Sequence, residues 1–320
     1  MIHPARILAT LGVALLAWLP CHAASPSSNG SAPLGTHLGA PEPSLAKDEP
    51  LFASPTQLDR IGRIIAPVMI NGQGPFRLVI DTGASHTTIS PTLAARLGLL
   101  ALPDSTVVLN GVTGSEVVPS VMLDRVQAGE LVLRGSRAPV ITTDIMGGAD
   151  GILGVAGLKR ERITVDFRSD SVSIARSKGD RGPGNMHRIP AVRVDGGLLM
   201  VIAKVGGIRV KAIIDTGAER SLGNSALRVA LRNRNHLAPP RFTSVFGTTA
   251  AISQGELRSI PPVTLGDVTV SDMDLVFGDF HIFKAWDLDG SPAMLIGMDV
   301  LGTVQQLVID FYRREVYVLS

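Results

Sequence analysis

Two stretches, PVMINGQGPFRLVIDTGA at residues 67–84 and LLMVIAKVGGIRVKAIIDTGA at residues 198–218, decide how the chain is read. Each holds two apolar runs split by a turn sequence, Asn71 to Gly74 in the first and Gly206-Gly207 in the second, and so reads as a β-hairpin. Each hairpin ends on Asp-Thr-Gly-Ala, carrying Asp81 in one copy and Asp215 in the other. A single Asp-Thr-Gly is ordinary turn chemistry, because an Asp side chain caps its own backbone. Two copies, each delivered by its own strand, can instead supply two carboxylates that face each other. Like charges at hydrogen-bonding distance cannot both ionise, so such a pair shares one proton.

Working outward, the two halves run in parallel, which marks an internal repeat. After the first motif, SPTLAARLGL (residues 90–99) offers Ser90 as N-cap, Pro91 at the first helical position, and Leu93 and Leu97 on one face. After the second, GNSALRVALRN (residues 223–233) offers Asn224 or Ser225 as cap, with Leu227 and Leu231; both read as short helices. Glycine-centred turns follow at nearly equal distances, NGVTG (residues 110–114) and FGTTA (residues 246–250). An apolar pair plus glycine then recurs as Ile152-Leu153-Gly154 and Leu295-Ile296-Gly297, before the closing strand pairs at residues 163–175 and 306–319. Almost everything else alternates or runs apolar as strands do, which predicts an all-β fold.

The order of hairpin, DTGA, flap and apolar-apolar-Gly resembles the retropepsin-like aspartic proteases over nearly all of residues 60–320, with two full copies present. The resemblance implies an acid-protease fold of two tandem β-barrel lobes with a short helix each, fused into an intrachain pseudo-dimer. It also implies Asp81 and Asp215 as catalytic residues, one from each lobe, and no cofactor. Thr82 and Thr216 are then expected to bond across to the opposite loop. Gly83 and Gly217 leave room and offer N–H donors beside the carboxylates. The fifth motif position differs, Ser85 against Glu219, so a hydroxyl supports one carboxylate while an acid helps to bind the substrate backbone. Gly111, Thr113, Gly247 and Thr249 are the expected flap tips over the substrate. Neither tip carries a tyrosine, which sets the chain closer to retroviral or bacterial members than to pepsin.

The second half is longer, and the excess falls in FGDFHIFKAWDLDGSPA (residues 277–293), where the aromatics gather. Phe280 to Trp286 either shape one side of a specificity pocket, with Phe283 and Trp286 against the substrate, or pack as an edge loop on their own lobe. Asp166 and Asp310, in the matching VDF and IDF segments, are read as hairpin residues without a catalytic role.

Composition narrows the function classes further. The first residues carry Arg6, an apolar run from Ile7 to Leu19, and small residues near Ala23, as a signal peptide does. The run is shorter than the roughly 20 residues of a spanning helix, so export to the periplasm or medium is expected rather than a stable membrane span. Cys21 would suit a lipoprotein, but Pro20 stands where a small residue is needed. Cys21 is also the only cysteine, which leaves a mature chain without disulfides or thiol chemistry. A net charge of +2 without a basic block gives nucleic acid little to hold. The histidines lack metal-ligand spacing, and no GxSxG, P-loop or GxGxxG is present. The expected organisation is a leader at 1–23, a Ser/Pro/Gly-rich flexible linker at 24–57, a first lobe at 58–176, a polar joint at 177–188 and a second lobe at 189–320. Two functions remain: an exported endopeptidase acting on polypeptide, or a periplasmic peptide-binding or assembly protein that kept the fold and lost turnover.

Overall fold

The computed structural model describes residues 53–55, 57–58, 62–101, 106–142, 146–234 and 237–320; the expected leader and most of the expected linker lie outside these. The hairpin of the first half pairs Ile64–Ile70 with Gln73–Ile80, and that of the second pairs Leu199–Val205 with Ile208–Ile214. Asn71 (φ 51) and Gly72 (φ 77) make the first turn, Gly206 (φ 53) and Gly207 (φ 77) the second. Two successive positive φ angles give the turn twist that matches a two-residue hairpin. Along Leu199–Val205 the buried residues alternate: Leu199, Val201, Ala203 and Val205 face the core while Ile202 and Lys204 face out. Each fully buried Leu, Ile or Val contributes about 1.5–3 kcal/mol.

The two helices form as their sequences dictate. Pro91–Arg96 starts after Ser90, whose hydroxyl accepts from the Leu93 N–H, and Ser225–Arg232 starts after Asn224, whose side chain accepts from the Leu227 N–H. A side-chain acceptor at this position satisfies an N–H that the helix itself cannot. Asn224 also accepts from Ala293 N (3.1 Å) and donates to Leu288 O (2.8 Å) and Ser291 O (2.7 Å), so it fixes the helix to the strand beneath it.

Each lobe carries its own sheet. In the first, the order runs Thr88–Ile89, Gly151–Leu153, Gln73–Ile80, Ile64–Ile70, Ser115–Ala128, Thr106–Asn110. The closing strands behave differently from two separate hairpins. Glu161–Asp166 of the first half pairs antiparallel with Gln306–Asp310 of the second, placing Arg162 opposite Asp310 and Val165 opposite Leu307. Both closing pairs therefore belong to one sheet that joins the lobes, and one apolar core runs through both halves. Asp310 is fully buried there, held by Arg162 Nε (2.9 Å) and Ser177 Oγ (2.8 Å), while Asp166 bonds Arg168 of its own hairpin. Glu315 is pushed up by burial, but hydrogen bonds from Arg313, Tyr317 and Arg188 prevail and hold it at about 2.

One boundary needs correcting. Ala53–Pro55, inside the expected linker, forms a strand against Ser171–Arg176. The edge of the joining sheet offers unpaired backbone groups, and an extended segment can satisfy them whatever its composition. Among the described residues no helix is long and apolar enough to cross a membrane.

Candidate active site

Asp81 and Asp215 stand at the ends of strands Gln73–Ile80 and Ile208–Ile214, where each strand runs parallel to an apolar-apolar-Gly strand. Asp81 N donates to Leu153 O (3.1 Å), and Asp215 N donates to Ile296 O (3.0 Å). One step on, Val155 N reaches Ala84 O (2.9 Å) and Met298 N reaches Ala218 O (2.8 Å). The glycine between is dictated by contact. A Cβ on Gly154 would lie 2.5 Å from His86 O, and one on Gly297 would lie 2.9 Å from Ala218 O. The loop bearing each Asp is thus clamped against bare backbone.

The two loops grip each other through their threonines. Thr82 Oγ1 donates to Ile214 O (2.7 Å) and accepts from Thr216 N (3.1 Å). Thr216 Oγ1 donates to Ile80 O (2.7 Å) and accepts from Thr82 N (3.2 Å). All four bonds are buried and cross between lobes, which fixes how far apart the carboxylates stand. The next residue of each motif lies beneath the opposite carboxylate. A Cβ on Gly83 would meet the Asp215 carboxyl atoms at 2.3–2.7 Å, and one on Gly217 would meet those of Asp81 at 2.2–2.6 Å. Gly83 N donates to Asp81 Oδ1 (2.8 Å); Gly217 N (2.9 Å) and Ala218 N (3.2 Å) donate to Asp215 Oδ1.

Asp81 and Asp215 are hydrogen-bonded to each other. Burial pushes Asp215 well above the usual carboxylate range, and the neighbouring Asp81 charge and the bond between them push it further. Burial raises Asp81 as well, opposed by its bond with Asp215, the N–H groups of Gly83 and Ala84, and the nearby Arg63 guanidinium. The two carboxyls therefore titrate as a pair and hold one proton between them.

The flaps close over this pair. Hairpins Thr106–Asn110 with Ser115–Ala128, and Arg241–Phe246 with Ile252–Ser259, meet tip to tip. Thr113 Oγ1 and Thr249 Oγ1 lie 3.1 Å apart, and Ala250 N donates to Glu116 Oε2 (3.3 Å). His281 Nε2, on helix His281–Ala285 of the second lobe, bonds Asn110 Oδ1 (3.1 Å) at the base of the first flap. Between dyad and flaps lies a cavity of about 980 Å³.

Gly83, Ser85, Gly111, Gly217, Glu219, Gly247 and Trp286 all line that cavity. Thr113 and Thr249 hold the flap tips together and are not among its lining residues. Phe283, expected against the substrate, is only 1 % exposed and packs beneath the wall, its ring 6.5 Å from Phe280 and edge-on to Trp286 at 6.4 Å. Helix periodicity explains the correction: Ile282 and Ala285, flanking Phe283, line the cavity with Trp286, while Phe283 fills the core side. Arg63, Thr88, Arg137 and Leu222 also line it and were not singled out from sequence. Thr88 and Leu222 hold the same place in the two repeats and were accessible by superposing the copies. Arg137 arrives only through strand register, opposite Met122. Among the described residues no three His, Cys, Asp or Glu side chains come together as a metal site.

A two-lobed β structure with a carboxylate pair at its seam has the acid-protease fold. The family model described as aspartyl protease matches residues 66–156 and 201–300, once over each DTGA copy, and the chain belongs to that family. A search among curated proteins returns no match.

Proposed function

We propose that the chain is an exported aspartic endopeptidase that hydrolyses extended polypeptide with Asp81 and Asp215. The observation that carries this reading is the pair of buried, neighbouring carboxyls, each set against the glycine of the opposite loop, on the floor of a flap-covered cavity. In the reaction, water between the carboxylates attacks the peptide carbonyl carbon. Asp81 takes a proton from the water while Asp215 gives its proton to the carbonyl oxygen, and the tetrahedral diol forms without a covalent enzyme intermediate. Collapse breaks the C–N bond: one diol hydroxyl returns its proton to Asp215 as the C=O re-forms, and the proton held on Asp81 passes to the leaving nitrogen, which restores the starting arrangement. Thr82 and Thr216 keep the pair in register, Ser85 and Glu219 flank it, and Gly111 and Gly247 bring flap backbone over the substrate. Residues 1–23 serve as the leader in this reading, with the linker ending before Ala53 and one lobe on each side of the joint at 177–188. The leader is also what supports a periplasmic or secreted location.

The test is to incubate the mature chain with an unfolded protein from acidic to neutral pH beside Asp81→Asn and Asp215→Asn. Cleavage in the parent and none in either variant is expected. Cleavage surviving both substitutions would sink the mechanism, and peptide binding without cleavage by the parent would favour a binding or assembly protein on this fold.

A further inference from the structure

The two walls of the cavity, one from each lobe, present different chemistry. In the second lobe the wall is Leu222, Val276, Ile282 and Trp286, backed by a cluster that holds Phe280, Phe283 and Leu288. In the first lobe the matching cluster of Ile65, Val79, Met146 and Ile152 contains no aromatic ring. Where the second lobe has Leu222, the first has Thr88, only 3 % exposed, and among the described residues its hydroxyl has no hydrogen-bond partner. His86 and Arg137 line the same wall. Among the described residues neither side chain forms a hydrogen bond or an ion pair, and the wall holds no acid apart from the dyad.

Resting on the peptidase reading, we infer that the cavity takes its polypeptide asymmetrically: a Glu or Asp side chain against the first-lobe wall of Thr88, His86 and Arg137, and a large apolar side chain against the second-lobe wall of Leu222, Ile282 and Trp286. Two features favour a carboxylate at the first wall. A guanidinium offers a planar fork that matches two carboxylate oxygens. A Lys side chain at the same wall meets the like charge of Arg137. At the second wall the reverse holds, because a carboxylate there would lose water against Leu, Val and Ile surfaces, and the guanidinium on that side, Arg220, lines the cavity next to the like-charged Glu219. A two-fold related pair of identical walls would show no such polarity; here the repeat has diverged where it touches the ligand.

The experiment has a binding arm and a cleavage arm, both on the mature chain. In the first, fluorescent hexapeptides with a reduced, uncuttable central bond carry Phe on one side and Glu, Gln or Lys on the other, in both orders, and anisotropy gives the dissociation constants. Glu is expected to bind about tenfold tighter than Lys, with Gln between, in one of the two orders only. Arg137→Glu is expected to invert the Glu-to-Lys ratio. Because the readout is a ratio, a general loss of affinity cannot imitate that inversion. Equal binding of the three peptides, or a variant that weakens all three alike, overturns the inference. In the second arm, the cut ends of a mixed peptide library are read by mass spectrometry. Acidic residues should be enriched on one side of the cut and large apolar residues on the other; acid enrichment on both sides or neither overturns the inference while leaving the peptidase reading intact. Ordered binding with no cut ends at all would remove the peptidase reading and keep the asymmetric cavity.

Discussion

In a Thr216→Val chain the side chain keeps its shape and loses only its hydroxyl. Two partners are then stranded in the seam between the lobes. Ile80 O loses the donor at 2.7 Å, and Thr82 N loses the acceptor at 3.2 Å. Thr216, Thr82 and Ile80 are all at most 2 % exposed, so water cannot substitute. An orphaned buried donor or acceptor costs about 1–3 kcal/mol, which sets the loss at about 4 kcal/mol for the two together. Thr216→Ser is the matched control: it retains the hydroxyl and gives up a methyl group, about 1 kcal/mol. The Val and Ser chains should therefore differ by about 3 kcal/mol, a large part of the 5–15 kcal/mol that typically separates folded from unfolded protein. Guanidinium unfolding followed by circular dichroism measures this, with Trp286 fluorescence reporting on the cavity wall. Val and Ser chains within about 1 kcal/mol of each other would refute the argument that these crossed bonds hold the seam.

Gly217→Ala would drive a methyl carbon to within 2.2–2.6 Å of the Asp81 carboxyl atoms, so one loop must move. A displacement of this order is expected to reduce kcat by about 100-fold or more, with far-UV circular dichroism unchanged. Asp215→Asn tests the burial of the dyad through pH. The folded value of Asp215 is raised, so the stability linked to its proton is complete below the ordinary carboxylate range and is lost as pH rises through the raised value. The Asn chain has no such loss. It should be more stable than the parent at neutral pH and indistinguishable from it in acid; parallel stability curves would show that burial does not hold the proton.

What the sequence made legible was whatever depends on neighbours along the chain. The two hairpins, the Ser90 and Asn224 caps and the clamp strands follow from spacing and residue type, because turns and caps are closed by atoms a few residues apart. The seam was legible only as far as the repeat implied it: matching threonines on matching loops must meet if the lobes do. The walls of the cavity were not legible in the same way. Arg63 precedes its strand by one residue and reaches the dyad through the fold, Arg137 depends on a register set far away at residues 115–128, and His281 meets Asn110 through the packing of one lobe's helix on the other's flap. Phe283 shows the converse limit: an aromatic cluster is visible in sequence, but which ring faces the ligand and which fills the core is fixed by helix phase. Ala53–Pro55 was misjudged because its partner is a sheet edge, and edges recruit backbone irrespective of side chains.

The antiparallel pairing of Glu161–Asp166 with Gln306–Asp310 has one more consequence. It ties the two halves with a run of backbone bonds inside a single polypeptide, so the meeting of Asp81 with Asp215 is an intramolecular event. Dilution cannot separate them as it separates two free subunits. Nor does symmetry bind them: in an assembly of identical chains every substitution appears twice, on both sides of the ligand, and a change that helps one side is imposed on the other. Fusion lifts that constraint. Thr88 and Leu222, or Ser85 and Glu219, could each change once, and the site could come to tell one end of its ligand from the other.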